Sequence, residues 1–323
     1  MPKILLNWVP PQSDLELMKQ LLPEAEFEVP PWQNVEEAEI LLYSPKTPEL
    51  DALIPNMKKL KFVQSLMAGV DHLPWDLIPK DVPVASGSGA NSEAVADMAL
   101  ALALSALKFI PFYQAEMKMD LWKRRVSKDL DSLTAVVLGT GSIGQAIARR
   151  LKAFGMRVVG VSRSGSQVEG FDSVSSSADW TSEPFGDLIV IALPLNRDSY
   201  HMIDKDVLSR LGGTRVIVNI ARAAVVEPQA LRVWLLENPT SIYASDVWWN
   251  EKLSLHPIVV EQPVAISHLP NVIMTPHTAG LTEHAQERML SMACENIGRF
   301  LEGQQPLGLV RREDYSQMPW NED

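Results

Sequence analysis

The feature that most constrains the fold is a glycine-rich hexapeptide, Gly139-Thr140-Gly141-Ser142-Ile143-Gly144. It follows an apolar run at residues 134–138, and residues 157–161 read as the next strand. The stretch between these strands carries apolar residues at helical spacing: Ile143, Ile147, Leu151 and Phe154. In such a turn the glycines permit a tight bend, backbone approach to a pyrophosphate and close helix packing. The pattern predicts a dinucleotide-binding βαβ unit with phosphates at the helix N-terminus.

Length and composition limit the remaining possibilities. A chain of 323 residues predicts two domains with a cleft, and 46% hydrophobic and 21% charged residues are typical of a globular protein. The net charge of −11 argues against nucleic-acid or membrane partners, although a local basic pocket for an anion remains possible. The single cysteine, Cys294, excludes an intramolecular disulfide and a multi-cysteine metal cluster. With neither a long apolar span nor a signal-peptide layout, we expect a cytoplasmic protein. We also expect a small-molecule partner and no metal site.

The first ninety residues predict a small α/β domain. Residues 14–22 have a helical pattern, and the apolar runs that predict strands are residues 3–7, 39–43, 60–66 and 82–85. The alanine- and leucine-rich stretch from residue 91 to about residue 119 predicts a buried connecting helix.

A second α/β series follows that helix. Its six predicted strands are residues 135–138, 157–161, 188–193, 215–220, 242–246 and 272–275. Several are continuously apolar, which predicts a parallel sheet buried on both faces. The serine-rich residues 162–182 predict a solvated surface connection, and residues 248–271, with three prolines, predict a long functional loop.

Polar motifs end three of these strands, where an open parallel sheet faces its ligand crevice. The motifs are Asn219-Ile220-Ala221-Arg222-Ala223, the stretch from Ser245-Asp246 to Asn250-Glu251, and Thr275-Pro276-His277-Thr278-Ala279-Gly280. Together with the glycine-rich turn, Met67-Ala68-Gly69-Val70-Asp71-His72 and Ala192-Leu193-Pro194-Leu195, they resemble the D-isomer-specific 2-hydroxyacid dehydrogenases, in particular the NADP-type glyoxylate/hydroxypyruvate reductases. The resemblance extends over nearly the whole chain.

The resemblance implies an α/β fold of two doubly wound domains, with a Rossmann dinucleotide-binding domain inserted into a flavodoxin-like substrate domain. The expected boundaries are residues 1–98 and 284–323 for the substrate domain and residues 99–283 for the Rossmann domain. It also implies an NAD(P)-dependent D-2-hydroxyacid dehydrogenase that forms a homodimer, with the helix from Asn91 onward contributing to the contact.

The resemblance assigns the catalytic roles to Arg222, Glu251 and His277. The planar guanidinium of Arg222 suits a keto acid carboxylate, and a histidine can supply a proton near neutral pH. Glu251 would hold and polarise the imidazole of His277, while backbone donors at Ala68 and Gly69 would meet the substrate carboxylate. A structural ion pair for Arg222 and a helix cap for His277 are the alternatives.

The predicted cofactor is NADPH, with NAD(H) possible. The second strand of the Rossmann unit ends Val161-Ser162-Arg163-Ser164, without the carboxylate that would repel a 2′-phosphate. Asp246 matches the family position that meets the nicotinamide carboxamide. The full set of predicted cofactor-binding residues is Gly139, Gly141, Ser142, Ile143, Gly144, Ser162, Arg163, Ser164, Pro194, Ile220, Ala221, Asp246, Ala279 and Gly280.

Substrate size and function class retain alternatives. Met67, Trp248 and Trp249 are bulky, which favours glyoxylate or hydroxypyruvate, but the tryptophans could instead be core packing or line a larger site for aromatic or branched keto acids. The sequence departs from the family's usual pattern at Arg222-Ala223 and Glu251-Lys252. A dinucleotide-sensing, corepressor-like regulator is a second hypothesis. Formate oxidation is disfavoured because that branch carries glutamine where this chain has Glu251.

Overall fold

The computed structural model describes residues 1–44, 48–182, 186–211, 216–251, 262–315 and 318. The strands are β1 (Lys3–Leu6), β2 (Glu26–Glu28), β3 (Ile40–Tyr43), β4 (Phe62–Ser65), β5 (Val84–Ala85), β6 (Thr134–Leu138), β7 (Arg157–Ser162), β8 (Ser173–Ser176), β9 (Leu188–Ile191), β10 (Val216–Asn219), β11 (Ile242–Ser245) and β12 (Val272–Met274). The α-helices are α1 (Gln12–Leu21), α2 (Pro48–Leu53), α3 (Ser92–Leu107), α4 (Ile110–Met117), α5 (Ser142–Ala153), α6 (Lys205–Arg210), α7 (Pro228–Glu237) and α8 (Ala285–Leu301).

The chain forms two compact units. Unit 1 comprises Met1–Asn91 and Thr282–Asp323, and unit 2 comprises Ser92–Leu281. Unit 2 is therefore an insertion in the sequence of unit 1. The predicted domain boundaries after residues 98 and 283 stay predictions, as does the assignment of a function to each domain.

Unit 1 is built on a parallel sheet of strand order β2-β1-β3-β4-β5, the flavodoxin-like doubly wound order. Its central strand β3 is fully buried and apolar because both faces of the sheet are covered. One face packs with residues of α1 and α8, including Met18, Leu290 and Ile297, and the other with residues such as Ile54 and Trp75. The sequence prediction missed the polar strand β2, which pairs only at the edge of this sheet.

Unit 2 is built on a seven-stranded sheet of order β12-β11-β10-β9-β6-β7-β8, in which neighbouring strands run parallel. This is the Rossmann order extended by one strand, and the predicted fold class is confirmed. The chain reverses direction across the sheet between β6 and β9, so the turns after these strands flank the switch point where open α/β sheets bind ligands. Helices α3 and α5 contribute Ala96, Leu102 and Ile147 to the core on this sheet.

Two expectations for unit 2 were wrong. The serine-rich residues 162–182 contain strand β8, which pairs with β7 from Val159↔Ser173 to Ser162↔Ser176. All four residues of β8 are half-buried. The strand can be polar because an edge strand completes its backbone hydrogen bonds without apolar side chains.

The single buried helix predicted from residue 91 is two helices, α3 and α4. Phe109 adopts a left-handed backbone (φ 57°) and Pro111 lies in the first turn of α4, where its missing N–H is tolerated. No residue of α4 is buried. Among the described residues no single helix could cross a membrane; the bent pair α3 and α4 passes that test by length and composition only. Of the predicted loop at residues 248–271, residues 252–261 lie outside the described part of the chain.

Candidate active site

The glycine-rich turn joins β6 to α5, and two of its glycines are required by the protein itself. Gly139 has φ 107°, and a Cβ built there would lie 2.5 Å from the Ala192 carbonyl oxygen in the turn after β9. A Cβ at Gly144 would lie 1.9 Å from the Gly139 carbonyl oxygen. Any side chain at either position would force the backbone apart.

Gly141 differs from these two glycines. A Cβ there would meet no protein atom within 4 Å, so the surface above it is open. Gly141 is also the N-cap of α5, and no side chain caps this helix end. The first N–H groups of α5 and the open surface at Gly141 together fit a bound phosphate, because a helix N-terminus attracts anions. These residues are suited to hold a dinucleotide.

The end of β7 supplies serines and a cation. The hydroxyl of Ser162 accepts a 3.1 Å hydrogen bond from the backbone N–H of Gly165, which folds the turn back on the strand. Arg163 and Ser164 are exposed, and residues 162–166 contain no acidic side chain. The turn therefore offers hydrogen-bond donors and positive charge without a carboxylate to oppose an anion.

Arg222 follows β10 on a turn held by the fully buried Asn219. The amide oxygen of Asn219 accepts from the N–H of Ala221 (3.1 Å), and its amide nitrogen donates to the carbonyl of Arg222 (3.0 Å) and to the hydroxyl of Tyr243 (3.1 Å). Burial raises the pKa of Tyr243 to about 12, so this hydroxyl stays protonated. The half-buried Arg222 guanidinium donates to the Ala221 carbonyl (2.9 Å).

His277 and Glu251 form a hydrogen-bonded pair. Nδ1 of His277 lies 2.5 Å from Oε2 of Glu251, and Oε1 of Glu251 accepts from the backbone N–H of Trp248. A carboxylate can only accept, so Nδ1 carries the hydrogen and Nε2 remains for proton transfer. His277 and Asn250, the residue before Glu251, both have left-handed backbones, with φ of 55° and 58°.

Asp246 contacts the loop that carries His277. Its carboxylate is almost completely buried and accepts hydrogen bonds from the Thr275 hydroxyl (2.5 Å), the Thr278 N–H (3.0 Å) and the Ala279 N–H (2.8 Å). Trp248 also contacts this loop, since its indole N–H donates to the Thr275 carbonyl (2.9 Å). Its neighbour Trp249 has a buried indole nitrogen that finds no partner among the described residues.

In unit 1, the turn after β4 presents backbone donors. The buried hydroxyl of Ser65 accepts from the Met67 N–H (2.9 Å), and Gly87 must be glycine because a Cβ there would lie 2.1 Å from the Leu66 carbonyl oxygen. In the described part of the chain, the N–H groups of Ala68 and Gly69 have no hydrogen-bond acceptor. They are free to bind an anion.

The structure thus places Arg222, Glu251 and His277 in segments that follow the neighbouring strands β10, β11 and β12, at one edge of the unit 2 sheet. Of the predicted cofactor residues, Ile220 and Ala221 lie on the Arg222 turn, Pro194 follows β9, and Ala279 and Gly280 follow His277. Sequence reasoning gave no role to Asn219 or Thr275. The available signal was a polar side chain at or just beyond the end of an apolar strand. No group of three or more metal-ligating side chains occurs within the described ranges.

This fold and site first define a class of protein. A Rossmann sheet with a glycine-rich turn after one strand and an acid–base pair after two other strands is typical of nicotinamide-dependent dehydrogenases. Residues 100–279 match the family model described as "D-isomer specific 2-hydroxyacid dehydrogenase, NAD binding domain". This is more than half of the chain, which therefore belongs to the D-isomer specific 2-hydroxyacid dehydrogenase family. It is an NAD(P)-dependent oxidoreductase of that family.

Individual relatives agree with this family. A glyoxylate reductase of Pyrococcus horikoshii is 27% identical over 345 residues, covering 97% of this chain and 96% of the relative. The crystal structure of a putative formate dehydrogenase from Pyrobaculum aerophilum is 30% identical, with a TM-score of 0.82 over 97% of this chain and 99% of that one. An NADPH-dependent glyoxylate/hydroxypyruvate reductase from Sinorhizobium meliloti shares the fold at 22% identity, with a TM-score of 0.80 over 98% of this chain and 100% of that one.

Proposed function

We propose that this enzyme reduces small 2-keto acids, such as glyoxylate and hydroxypyruvate, to D-2-hydroxy acids with NADPH. The observation that carries the proposal is the 2.5 Å hydrogen bond between Glu251 and His277, at the sheet edge that also carries Arg222. These are the groups that carbonyl reduction requires: a proton donor held in one orientation and a cation for the substrate carboxylate. Glyoxylate reductases among the relatives support the substrate class.

Each residue has a separate task in the proposed reaction. Arg222 binds the substrate carboxylate through two donors, and the N–H groups of Ala68 and Gly69 are proposed as further donors to it. A bound nicotinamide supplies the hydride to the keto carbon. Nε2 of protonated His277 gives its proton to the carbonyl oxygen, which becomes the hydroxyl, and Glu251 stabilises the imidazolium before this transfer. Reversal of these steps oxidises the hydroxy acid.

The domain assignment belongs to the same proposal. Residues 99–283 are assigned to the dinucleotide and residues 1–98 and 284–323 to the substrate. The predicted cofactor residues of the glycine-rich turn and the β7 end fall in the first range, with Pro194, Ile220, Ala221, Asp246, Ala279 and Gly280.

NADPH is proposed over NADH because of the turn after β7. Arg163 can pair with a 2′-phosphate, and Ser162 and Ser164 can donate to it. The absence of a carboxylate in residues 162–166 removes the usual repulsion of that phosphate. NADH lacks the phosphate and gains nothing from Arg163.

Small substrates are proposed because Met67 and Trp248 are bulky. The indole N–H of Trp248 donates to the Thr275 carbonyl, which favours one orientation of the ring. Pocket size discriminates only modestly, about 10- to 200-fold per methylene-scale difference. Several keto acids should therefore react, with phenylpyruvate the poorest.

The test is NADPH oxidation by the purified protein with glyoxylate, hydroxypyruvate, pyruvate and phenylpyruvate, and NADP reduction by formate as a control. The proposal expects the highest kcat/KM for glyoxylate or hydroxypyruvate. A higher kcat/KM for phenylpyruvate would overturn the size preference. Binding of NADPH without turnover of any keto acid would instead favour a dinucleotide-sensing regulator, and formate oxidation would contradict the assigned chemistry.

A further inference from the structure

The backbone of His277 requires external support. Its φ of 55° lies in the left-handed region, which is strained for a residue with a side chain and persists only where the surroundings hold it. Residues 275–279 surround this position and include no glycine that could share the strain. The contacts that hold this loop therefore determine where the imidazole lies.

Asp246 provides the principal support. Its carboxylate is 1% exposed and accepts from Thr275, Thr278 and Ala279, which lie on both sides of His277. An ionised carboxylate has about four acceptor positions, so the three donors among the described residues leave room for one further donor. The cofactor contact predicted for Asp246 can therefore use only the one acceptor position that remains on this carboxylate.

Thr275 joins this support to the other half of the acid–base pair. Its hydroxyl donates to Asp246, its N–H donates to the Ser245 carbonyl (3.0 Å), and its carbonyl accepts from the indole of Trp248. The backbone N–H of Trp248 in turn donates to Glu251. Asp246 and Thr275 therefore connect the loop of His277 to the segment that carries Glu251.

We infer that Asp246 and Thr275 are positioning residues that hold His277 in its left-handed conformation and within hydrogen-bonding distance of Glu251. Only the predicted effect of these two residues on turnover rests on the proposed function. The support itself is a property of the protein without cofactor or substrate. A proton donor that is displaced by up to about 1 Å slows the chemical step. Such a displacement need not weaken cofactor binding.

The kinetic test uses the matched pair Thr275→Val and Thr275→Ser. Valine keeps the shape of threonine but removes the hydroxyl, whereas serine keeps the hydroxyl. We expect Thr275→Val to lower kcat about tenfold, with the Kd for NADPH changed less than about twofold, and Thr275→Ser to retain most of kcat. Equal kcat values for the two variants, or a loss confined to NADPH affinity, would overturn the inference.

The second test needs no activity. Amide hydrogen exchange at Thr278 and Ala279 is measured in the protein without cofactor, for the unmutated chain and for Thr275→Val, Thr275→Ser, Asp246→Asn and Glu251→Gln. We expect exchange about tenfold faster in Thr275→Val and Asp246→Asn, and unchanged in Thr275→Ser and Glu251→Gln.

If Asp246→Asn does not fold, Thr275→Val decides the matter alone. Unchanged exchange in Thr275→Val would overturn the inference. A chain that reduces no keto acid but shows the expected exchange pattern would refute the proposed function and leave the positioning role standing.

Discussion

His277 is the residue on which the proposed chemistry depends. We expect His277→Ala to lower kcat by about 10²- to 10⁴-fold, because a positioned acid contributes this much to proton transfer. The Kd for NADPH should stay within about threefold of the unmutated value, since the change removes no predicted cofactor contact. Steady-state kinetics and a fluorescence titration with NADPH measure the two quantities. Near-normal kcat in this variant would refute the acid role of His277.

Arg222 tests recognition of the carboxylate. Arg222→Lys keeps the charge but loses the bidentate fork, so we expect kcat/KM for glyoxylate to fall by about 10²-fold. Because Asn219 holds the turn through the Arg222 carbonyl, the backbone there should be unaffected, and the thermal midpoint serves as the control. Full activity in the lysine variant would show that no fork is needed.

Arg163 tests cofactor choice. We expect Arg163→Ala to weaken NADPH binding about 10- to 100-fold, which corresponds to the loss of a charge-assisted hydrogen bond, and to leave NADH binding unchanged. Titration of both cofactors against both proteins measures the effect. Equal affinity of the unmutated protein for NADPH and NADH would contradict the assignment.

For individual residues, the sequence predicts which side chains belong to the candidate site better than it predicts their contacts. Arg222, Glu251 and His277 could be selected because they follow strands of a sheet whose ends meet at one edge. The bonds from Asp246 to Thr275, Thr278 and Ala279 could not be predicted, because they depend on the path of a loop about thirty residues further along the chain. The left-handed backbone of His277 could not be read from the sequence either, because even histidine, which adopts this region more often than most residues, adopts it only in a minority of cases.

Among the elements, the buried strands were the most predictable. Strands β3, β9 and β10 are fully buried, and only the first residue of β1 is not, so their apolar runs are visible in the sequence. Strand β8 is half-buried and polar, and its place is fixed by backbone pairing with β7 rather than by side chains. The break between α3 and α4 depends on one backbone angle at Phe109.

The turn between β6 and α5 gives a matched pair of glycine variants. Gly144→Ala places a Cβ against the Gly139 carbonyl, a backbone atom that cannot move away, so we expect a loss of stability of about 1–3 kcal/mol or more. Gly141→Ala meets no protein atom within 4 Å and should leave stability nearly unchanged while weakening NADPH binding. Chemical denaturation and NADPH titration of both variants measure these effects. Normal NADPH affinity in a folded Gly141→Ala protein would exclude the turn from the phosphate site.

For the whole molecule we propose a homodimer that uses the apolar surface after α3. Trp122 is 79% exposed and Val126 is 99% exposed, beside the unburied helix α4. Large exposed apolar side chains grouped in one segment indicate an interface. We expect Trp122→Glu to shift the protein to a monomer in sedimentation velocity at micromolar concentration. Val9→Glu, at a residue 66% exposed in unit 1, should remain a dimer. A monomeric unmutated protein would refute the dimer.

The central claim is that this chain transfers hydride from NADPH to a small 2-keto acid with D stereochemistry. Its most direct test is the reduction of hydroxypyruvate, because the product is chiral, whereas glyoxylate gives an achiral product. NADPH consumption and the glycerate enantiomers are measured in the same reaction, the latter by chiral chromatography. We predict one D-glycerate for each NADPH consumed, and no product from His277→Ala on the same time scale. Formation of L-glycerate, or no NADPH consumption with hydroxypyruvate, would contradict the claim.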